Sequence, residues 1–344
     1  MASAAGAFGI AGVGVGTWTS PAEVSGCTVV LPPPGTVGAV AVRGSAPGTR
    51  EAAALSADGK VEVCHAVVLA GGSAYGLAAA DGVVRWLESQ GRGYPVLGAV
   101  VPIVGSAIVL DAGVLAAGER PGADAGWAAC EAAGDAGAQP GAATTPATGA
   151  LEGRVGAGTG CTVAKVAGLE HAWHSGQGVA VVRAGGVSVA AIVANNAVGE
   201  VLDADGSWLA RARVGDDAPR FPEVDLFAPA GGPSGNTVIG CIVTDARLSK
   251  RDVARVADLG HSGIARSVRP AHTSVDGDAL FCLATGAVEA GVDLVTHLAA
   301  EAVAQACRRA VRTATSAPLL PQGPVLPGLA DVVPGDGGSG LAGP

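Results

Sequence analysis

The chain has 344 residues, 49% apolar and only 15% charged, against about 25% charged in ordinary globular chains. Its 55 Gly and 21 Pro follow no Gly-X-Y period, which excludes a collagen-like chain and leaves ample apolar material for a large core. Thirty acidic against 21 basic residues give a net charge of −9 with no basic cluster, so neither nucleic acid nor an anionic membrane surface is expected as partner.

Met1 to Gly16 contains no Lys or Arg and does not read as a secretory signal. Gly12-Val13-Gly14-Val15-Gly16 imitates a dinucleotide fingerprint, but Trp18, Pro21 and Cys27 follow where a helix is required. Val37–Arg43 reads as a strand, and Glu62–Ala70 as another that ends at Gly71-Gly72. A helix is expected from Gly76 to Ser89, where Leu77, Ala80, Val83, Val84 and Leu87 recur at helical spacing. The longest uncharged run, Gly93 to Leu110, is interrupted by Pro95, Gly98, Pro102 and Gly105. It is expected to be a buried strand with flanking turns rather than a membrane span. A small-residue helix is expected around Ala125–Ala133 and a loop over Ala138–Thr148. Gly156-Ala157-Gly158-Thr159-Gly160 lacks the Gly-Lys-Ser/Thr ending of a phosphate-binding loop.

Gly178–Ala194 has the pattern of a hairpin turning at Ala184-Gly185-Gly186. A loop with Pro219, Pro222 and Pro229 leads through Gly231–Gly235 to a strand at Val238–Thr244. Ser249 and Asp252 form a capping box for a helix that Gly260 should end. Ala279–Thr285 reads as a short strand. Val288–Val311 reads as a long helix whose C-terminal dipole is complemented by Arg308, Arg309 and Arg312. From Ala317 onward six prolines and seven glycines predict a disordered tail, 317–344. No repeat or linker divides residues 1–316, so one catalytic domain is expected. Hairpin-joined strands with helices grouped between them, apolar all round, predict an α+β fold of four layers.

Seven scattered cysteines with no CxxC pair fit a reduced, cytoplasmic protein without disulfides. No HExxH or paired Cys/His spacing points to a metal, and no cofactor is expected. The six histidines are dispersed and read as ordinary core or surface residues. Gly71-Gly72-Ser73-Ala74-Tyr75-Gly76 approaches a nucleophile elbow, but Tyr75 stands where the second Gly belongs. Such a strand-to-helix turn can still hold an anionic group on its N–H donors.

Scarcity singles out certain side chains: the chain has only three Asn (Asn195, Asn196, Asn236), three Lys (Lys60, Lys165, Lys250) and two Tyr (Tyr75, Tyr94). Asn236-Thr237 opens an apolar strand. A cut before Thr237 would leave a threonine with a free α-amine, which supplies nucleophile and base in one residue without a histidine. Asp276-Gly277-Asp278 directly precedes another strand, where two carboxylates at this spacing point the same way in extended chain. By composition alone the triplet is an ordinary turn, and the remaining acidic positions of a calcium loop are missing.

These residues stand in stretches that together resemble the DmpA-type aminopeptidases. That autoproteolytic family includes L-aminopeptidase/D-esterase, β-peptidyl aminopeptidases and the nylon-oligomer hydrolase NylC. The matching stretches are Ser25–Pro32, Arg43–Glu51, Leu69–Val84, Val101–Val104, Arg154–Gly168, Ala194–Gly199, Gly235–Ala246 and His272–Phe281. The resemblance implies self-cleavage between Asn236 and Thr237 into 1–236 and 237–344, held together in an αββα sandwich like that of N-terminal-nucleophile hydrolases. It also implies homo-oligomers, tetramers or larger.

Many members use Ser with a Ser and a Glu. Here Thr237, Asp276 and Asp278 are similar to the NylC branch, and Tyr75, Lys165 and Asn196 match that branch's supporting residues. Asn195 beside Asn196 leaves that position ambiguous by one residue. By this likeness Asn196 stabilises an oxyanion and Tyr75 assists it or positions substrate. Lys165 lowers the pKa of the nucleophile or pairs with an aspartate. The implied activity is an aminopeptidase or amidase acting on small peptides or amides. A nylon-oligomer-like endoamidase and an acyltransferase of ornithine acetyltransferase type are the alternatives.

Overall fold

Along Val187–Asn196 alternate side chains enter different cores. Val189, Ala191 and Val193 pack under helices, whereas Ala190, Ile192 and Ala194 meet strands of a second sheet. A strand apolar on both faces must be covered on both, and this one lies in the interior of a four-layer stack. The computed structural model describes residues 8–134, 151–215, 217–218, 220–222 and 236–332. The loops expected at Ala138–Thr148 and Gly231–Gly235 lie outside them.

In chain order the layers are built from β1 (Gly14–Thr19), β2 (Gly26–Leu31), β3 (Val37–Val42), β4 (Thr49–Arg50), β5 (Ala66–Ala70), α1 (Ala79–Ser89) and β6 (Val104–Ile108). There follow α2 (Ala123–Ala133), β7 (Gln177–Ala184), β8 (Val187–Asn196), β9 (Thr237–Arg247), α3 (Lys250–Ser267), β10 (Ala279–Glu289) and α4 (Val292–Arg312). One five-stranded sheet has the order β1-β2-β5-β6-β4 and the other β7-β8-β9-β10-β3. Each is antiparallel except for its β5–β6 or β9–β10 pair.

Helices α1 and α2 cover the outer face of the first sheet, with Val83, Leu87, Ala129 and Cys130 against Val68 and Ala70. Between the sheets Val67 and Leu69 meet Ile192, Ile239 and Phe281. On the far side Ile242 and Leu280 pack under Val256, Ile264, Leu298 and Val303 of α3 and α4. The layers run α, β, β, α, as expected.

The structure corrects several local expectations. Helix α3 does not end at Gly260 but runs to Ser267. The glycine serves packing, since a Cβ there would lie 2.6 Å from Ile242 Cδ1. Only Val104–Ile108 of the uncharged run is a buried strand. Tyr94–Val96 and Ala99–Val101 form an exposed hairpin that turns through Leu97 and Gly98, both at positive φ. Val288 and Glu289 extend β10 instead of opening α4.

The tail boundary at 317 falls too early: Ala317–Pro318 pairs with Val325–Leu326, and Leu326 is buried. Prolines are tolerated there because their carbonyls still accept, as Pro327 O does from His174 N–H at 2.8 Å. Strands β1 and β2 had no expectation at all. Among the described residues no helix is long and apolar enough to cross a membrane.

Candidate active site

The register of the second sheet brings three separate stretches together. Thr237, the first residue of β9, lies opposite Asn196, the last residue of β8. A parallel bridge sets Asn236 beside Asp276 in the run-in to β10, and Gly277 N–H donates to Asn236 O at 3.2 Å. Gly277 has no room for a side chain: a Cβ would lie 2.7 Å from Ala46 O and 3.1 Å from Thr237 Oγ1. The Thr237 hydroxyl donates to the carbonyl oxygen of Asn236, the group immediately before it in the chain. Lys165, Asn196, Asn236, Thr237, Asp276 and Asp278 are each at most 4% exposed.

The two aspartates have separate tasks. Asp278 Oδ1 accepts from Val238 N–H at 2.6 Å, while Oδ2 meets His272 Nδ1 at 2.7 Å. Asp276 Oδ2 accepts from the Thr273 N–H and hydroxyl at 2.6 and 2.7 Å. Its Oδ1 is buried without a hydrogen-bond partner among the described residues. Burial, and then the charge of Asp278, raise the pKa of Asp276; the bonds from Thr273 and the charge of Lys165 oppose the shift.

Lys165 Nζ donates to Asn196 O at 2.9 Å and to Asn196 Oδ1 at 3.0 Å. Burial pulls its pKa down to about 7 against the opposing charges that face it, Asp276 and Asp111 among them. Asn196 Oδ1 also accepts from Thr162 N–H at 3.0 Å, and Nδ2 donates to Leu110 O at 2.8 Å, contacts that distinguish its oxygen from its nitrogen. Asn195 points the other way, as alternation requires, and donates to Cys307 O of α4 at 3.1 Å. Of the two, Asn196 is therefore the one at Thr237.

Unlike these residues, Tyr75 is not buried. It lies in a 3₁₀ turn, Ser73–Ala78, is 59% exposed, and carries the Arg120 guanidinium 3.8 Å above its ring. The anion held by the neighbouring Gly71-Gly72 turn is the protein's own. Gly72 N–H and Gly113 N–H donate to Asp111 Oδ1 at 2.8 and 3.0 Å, and Ser25 Oγ donates to Oδ2 at 2.9 Å. Burial raises Asp111 to about 6 in spite of these bonds. Its neighbour Leu110 supplies the carbonyl that holds Asn196, so Asp111 anchors one wall of the site.

Sequence reasoning missed Asp111, Thr162, His272 and Thr273. For Thr273 a signal existed, in its spacing three residues before Asp276, typical of a side-chain-capped turn. No group of three or more His, Cys, Asp or Glu suited to a metal ion occurs among the described residues.

The arrangement supplies a buried hydroxyl against a backbone carbonyl, an amine of depressed pKa, two carboxylates and an amide donor. The chain is similar to several known proteins. The sequence model of peptidase family S58 matches residues 8–320. An uncharacterized aminopeptidase of Mycobacterium leprae is 47% identical over 272 residues, covering 77% of this chain and 72% of that protein. A 6-aminohexanoate-oligomer endohydrolase of Kocuria sp. is 32% identical over 292 residues, covering 82% and 75%.

Among solved structures, a Burkholderia sp. beta-aminopeptidase superposes with a TM-score of 0.68 at 21% identity, over 94% of this chain and 90% of that one. The L-aminopeptidase D-Ala-esterase/amidase of Ochrobactrum anthropi, described as a variant of the Ntn-hydrolase fold, gives 0.65 at 19% over 94% and 90%. At these identities the structural likeness is one of fold, and it agrees with the αββα layers. With a family match that spans nearly its whole length, the chain belongs to peptidase family S58.

Proposed function

We propose that this protein is an amide hydrolase of aminopeptidase or amidase type, activated by cutting itself between Asn236 and Thr237. The observation that carries the reading is the position of Thr237. It opens a central strand, is buried, has its hydroxyl against the carbonyl of Asn236, and is flanked by Asp276, Asp278, Asn196 and Lys165. In the precursor, Thr237 Oγ adds to the Asn236 carbonyl carbon, the C–N bond breaks, and the hydroxyl proton passes to the departing nitrogen, which becomes the amine. Water then opens the ester, leaving a carboxylate on Asn236 and a free amine on Thr237.

That amine, with an unperturbed pKa of about 7.7–8.0, takes the hydroxyl proton as Thr237 attacks a substrate amide. The departing amine receives the proton, and water hydrolyses the acyl-enzyme. In this reading the α-amine pairs with Asp276 Oδ1, which is buried without a hydrogen-bond partner among the described residues, and Asp278 fixes the backbone after it through Val238 N–H. When protonated, Lys165 disfavours a second positive charge on the neighbouring amine and so keeps it basic and neutral. Asn196 donates to the oxyanion, a contribution of about 3–4 kcal/mol for one donor.

The relative named aminopeptidase at 47% identity supports a substrate with a free amino terminus. Thr237→Ala is expected to remain one polypeptide and to hydrolyse no amides, and Thr237→Ser to keep both reactions. A Thr237→Ala chain that still splits, or still turns over an anilide panel, refutes the reading. Equal turnover of free and N-acetylated substrates would transfer it to the endo-acting class.

A further inference from the structure

His272 opens the stretch His272–Phe281 but carries no role in the family resemblance, yet its ring touches one of the site's carboxylates. Nδ1 is 2.7 Å from Asp278 Oδ2, and Nε2 is 3.4 Å from the carbonyl oxygen of His261. Both neighbours are acceptors, so a ring that satisfies both must carry a proton on each nitrogen. His261 differs. Its Nε2 donates to Ala41 O at 3.1 Å and its Nδ1 is buried without a partner among the described residues, which suits a neutral ring. The rings meet edge to face at 5.0 Å, an arrangement that suits one cation rather than two.

We propose that His272 is a positioning residue for the amide hydrolysis: an imidazolium that keeps Asp278 ionised and aims its Oδ1 at the backbone N–H following Thr237. This rests on the assignment of Thr237 as nucleophile. Through Asp278 the histidine holds the strand that presents the hydroxyl, and it does so without touching the reacting atoms. The backbone supports the assignment, since His272 is held at φ 57°, a conformation few side chains adopt.

The charges are arranged consistently. Burial alone would lower the pKa of His272, but the bond to Asp278 and the charges of Asp278 and Asp276 outweigh it, and the net shift is upward. Burial pushes His261 down to about 4. Arg43, at the end of β3, is paired with Asp258 of α3, and Lys165 faces Asp276. From α4 the thiol of Cys307, raised to about 12 by burial, stays neutral.

The test uses the full-length protein with ¹⁵N-labelled histidine. At neutral pH the His272 ring, assigned by its loss in His272→Asn, is expected to show two protonated nitrogens, and Asp278→Asn to return it to a neutral ring. A neutral His272 in the wild type overturns the proposal. In kinetics, His272→Ala is expected to lower kcat by about 10–100-fold, the loss of one hydrogen bond between charged groups, with KM little changed. His272→Asn tolerates the positive φ and restores a neutral donor. It should recover part of kcat, with the acid limb of kcat/KM moved to higher pH because the facing cation is gone.

Wild-type kcat and pH profile in both variants would overturn the proposal while Thr237→Ala remains inactive. An active Thr237→Ala would instead defeat the nucleophile assignment, leaving the nitrogen spectra to decide the charge of His272. If His272→Ala fails to fold, the spectra and His272→Asn suffice.

Discussion

Lys165 is a buried amine whose pKa falls from 10.5 to about 7 on folding. Between those values the unfolded chain binds more protons than the native one, so this group makes stability rise with pH across that window. Below about pH 7 both states hold the proton and the cost of burying the cation is felt in full. Lys165→Met removes that cost together with two bonds to Asn196. Whatever the net change, the stability of the variant relative to wild type should decline as pH rises from about 7 to 10; parallel melting profiles would contradict this.

Asp111 offers a second test at the same scale. In Asp111→Asn, Oδ1 keeps the Gly72 and Gly113 donors while the amide nitrogen donates to Ser25 Oγ, so the fold should survive with little loss. Asp111→Ala leaves two buried N–H groups unpaired, at about 1–3 kcal/mol each, and urea melts separate the two outcomes. Thr237, Asp276 and Asp278 drew attention through short local patterns, and Asn196 and Lys165 through their scarcity and the family resemblance. Asp111 and His272 did not, because their meaning lies in partners that only folding supplies: a turn after β5, and a carboxylate made critical by a strand from elsewhere.

Among the elements, the helices were read well where an apolar stripe at helical period faces one sheet, as in α1 and α4. Helix α3 was misread at Gly260, where glycine serves packing rather than an ending, and glycines do the same work between α1 and α2. A Cβ at Gly126 of α2 would sit 1.9 Å from Ala79 O of α1, and one at Gly82 of α1 would sit 1.7 Å from Ala123 O of α2. These two helices therefore cross backbone to backbone. Gly126→Ala is expected to cost about 1–3 kcal/mol or more as an overpacked contact. Gly118→Ala, with nothing within 4 Å of the new Cβ, should stay within about 0.5 kcal/mol of wild type. Equal melting temperatures for the two would show that the helices part more readily than their geometry implies. Strands β1 and β2 escaped notice because Gly, Thr and Cys fill them, and their strand character comes from pairing with each other and with β5.

For the molecule as a whole, the sheet that carries the site is interleaved across the proposed cut. Strands β3, β7 and β8 precede residue 237 and β9 and β10 follow it, in the order β7-β8-β9-β10-β3. Neither part can leave without breaking the β8–β9 and β10–β3 ladders and opening two apolar cores. The cut protein should therefore unfold as one unit. All five tryptophans lie before Thr237, whereas α3 and α4 lie after it. Tryptophan fluorescence and helical circular dichroism should thus report the same urea midpoint, and two separated transitions would deny the interlock. The layered α+β plan was visible in the sequence because apolar residues occupy both faces of the strands. The interleaving was not, since strand order depends on long-range pairing that periodicity does not encode.

The most direct measurement is the intact mass of freshly purified, active wild-type protein. The account predicts two polypeptides, one ending at Asn236 and one beginning Thr-Val-Ile-Gly, that together exceed the uncut chain by one water. A single species of 33.0 kDa that hydrolyses amides would contradict it.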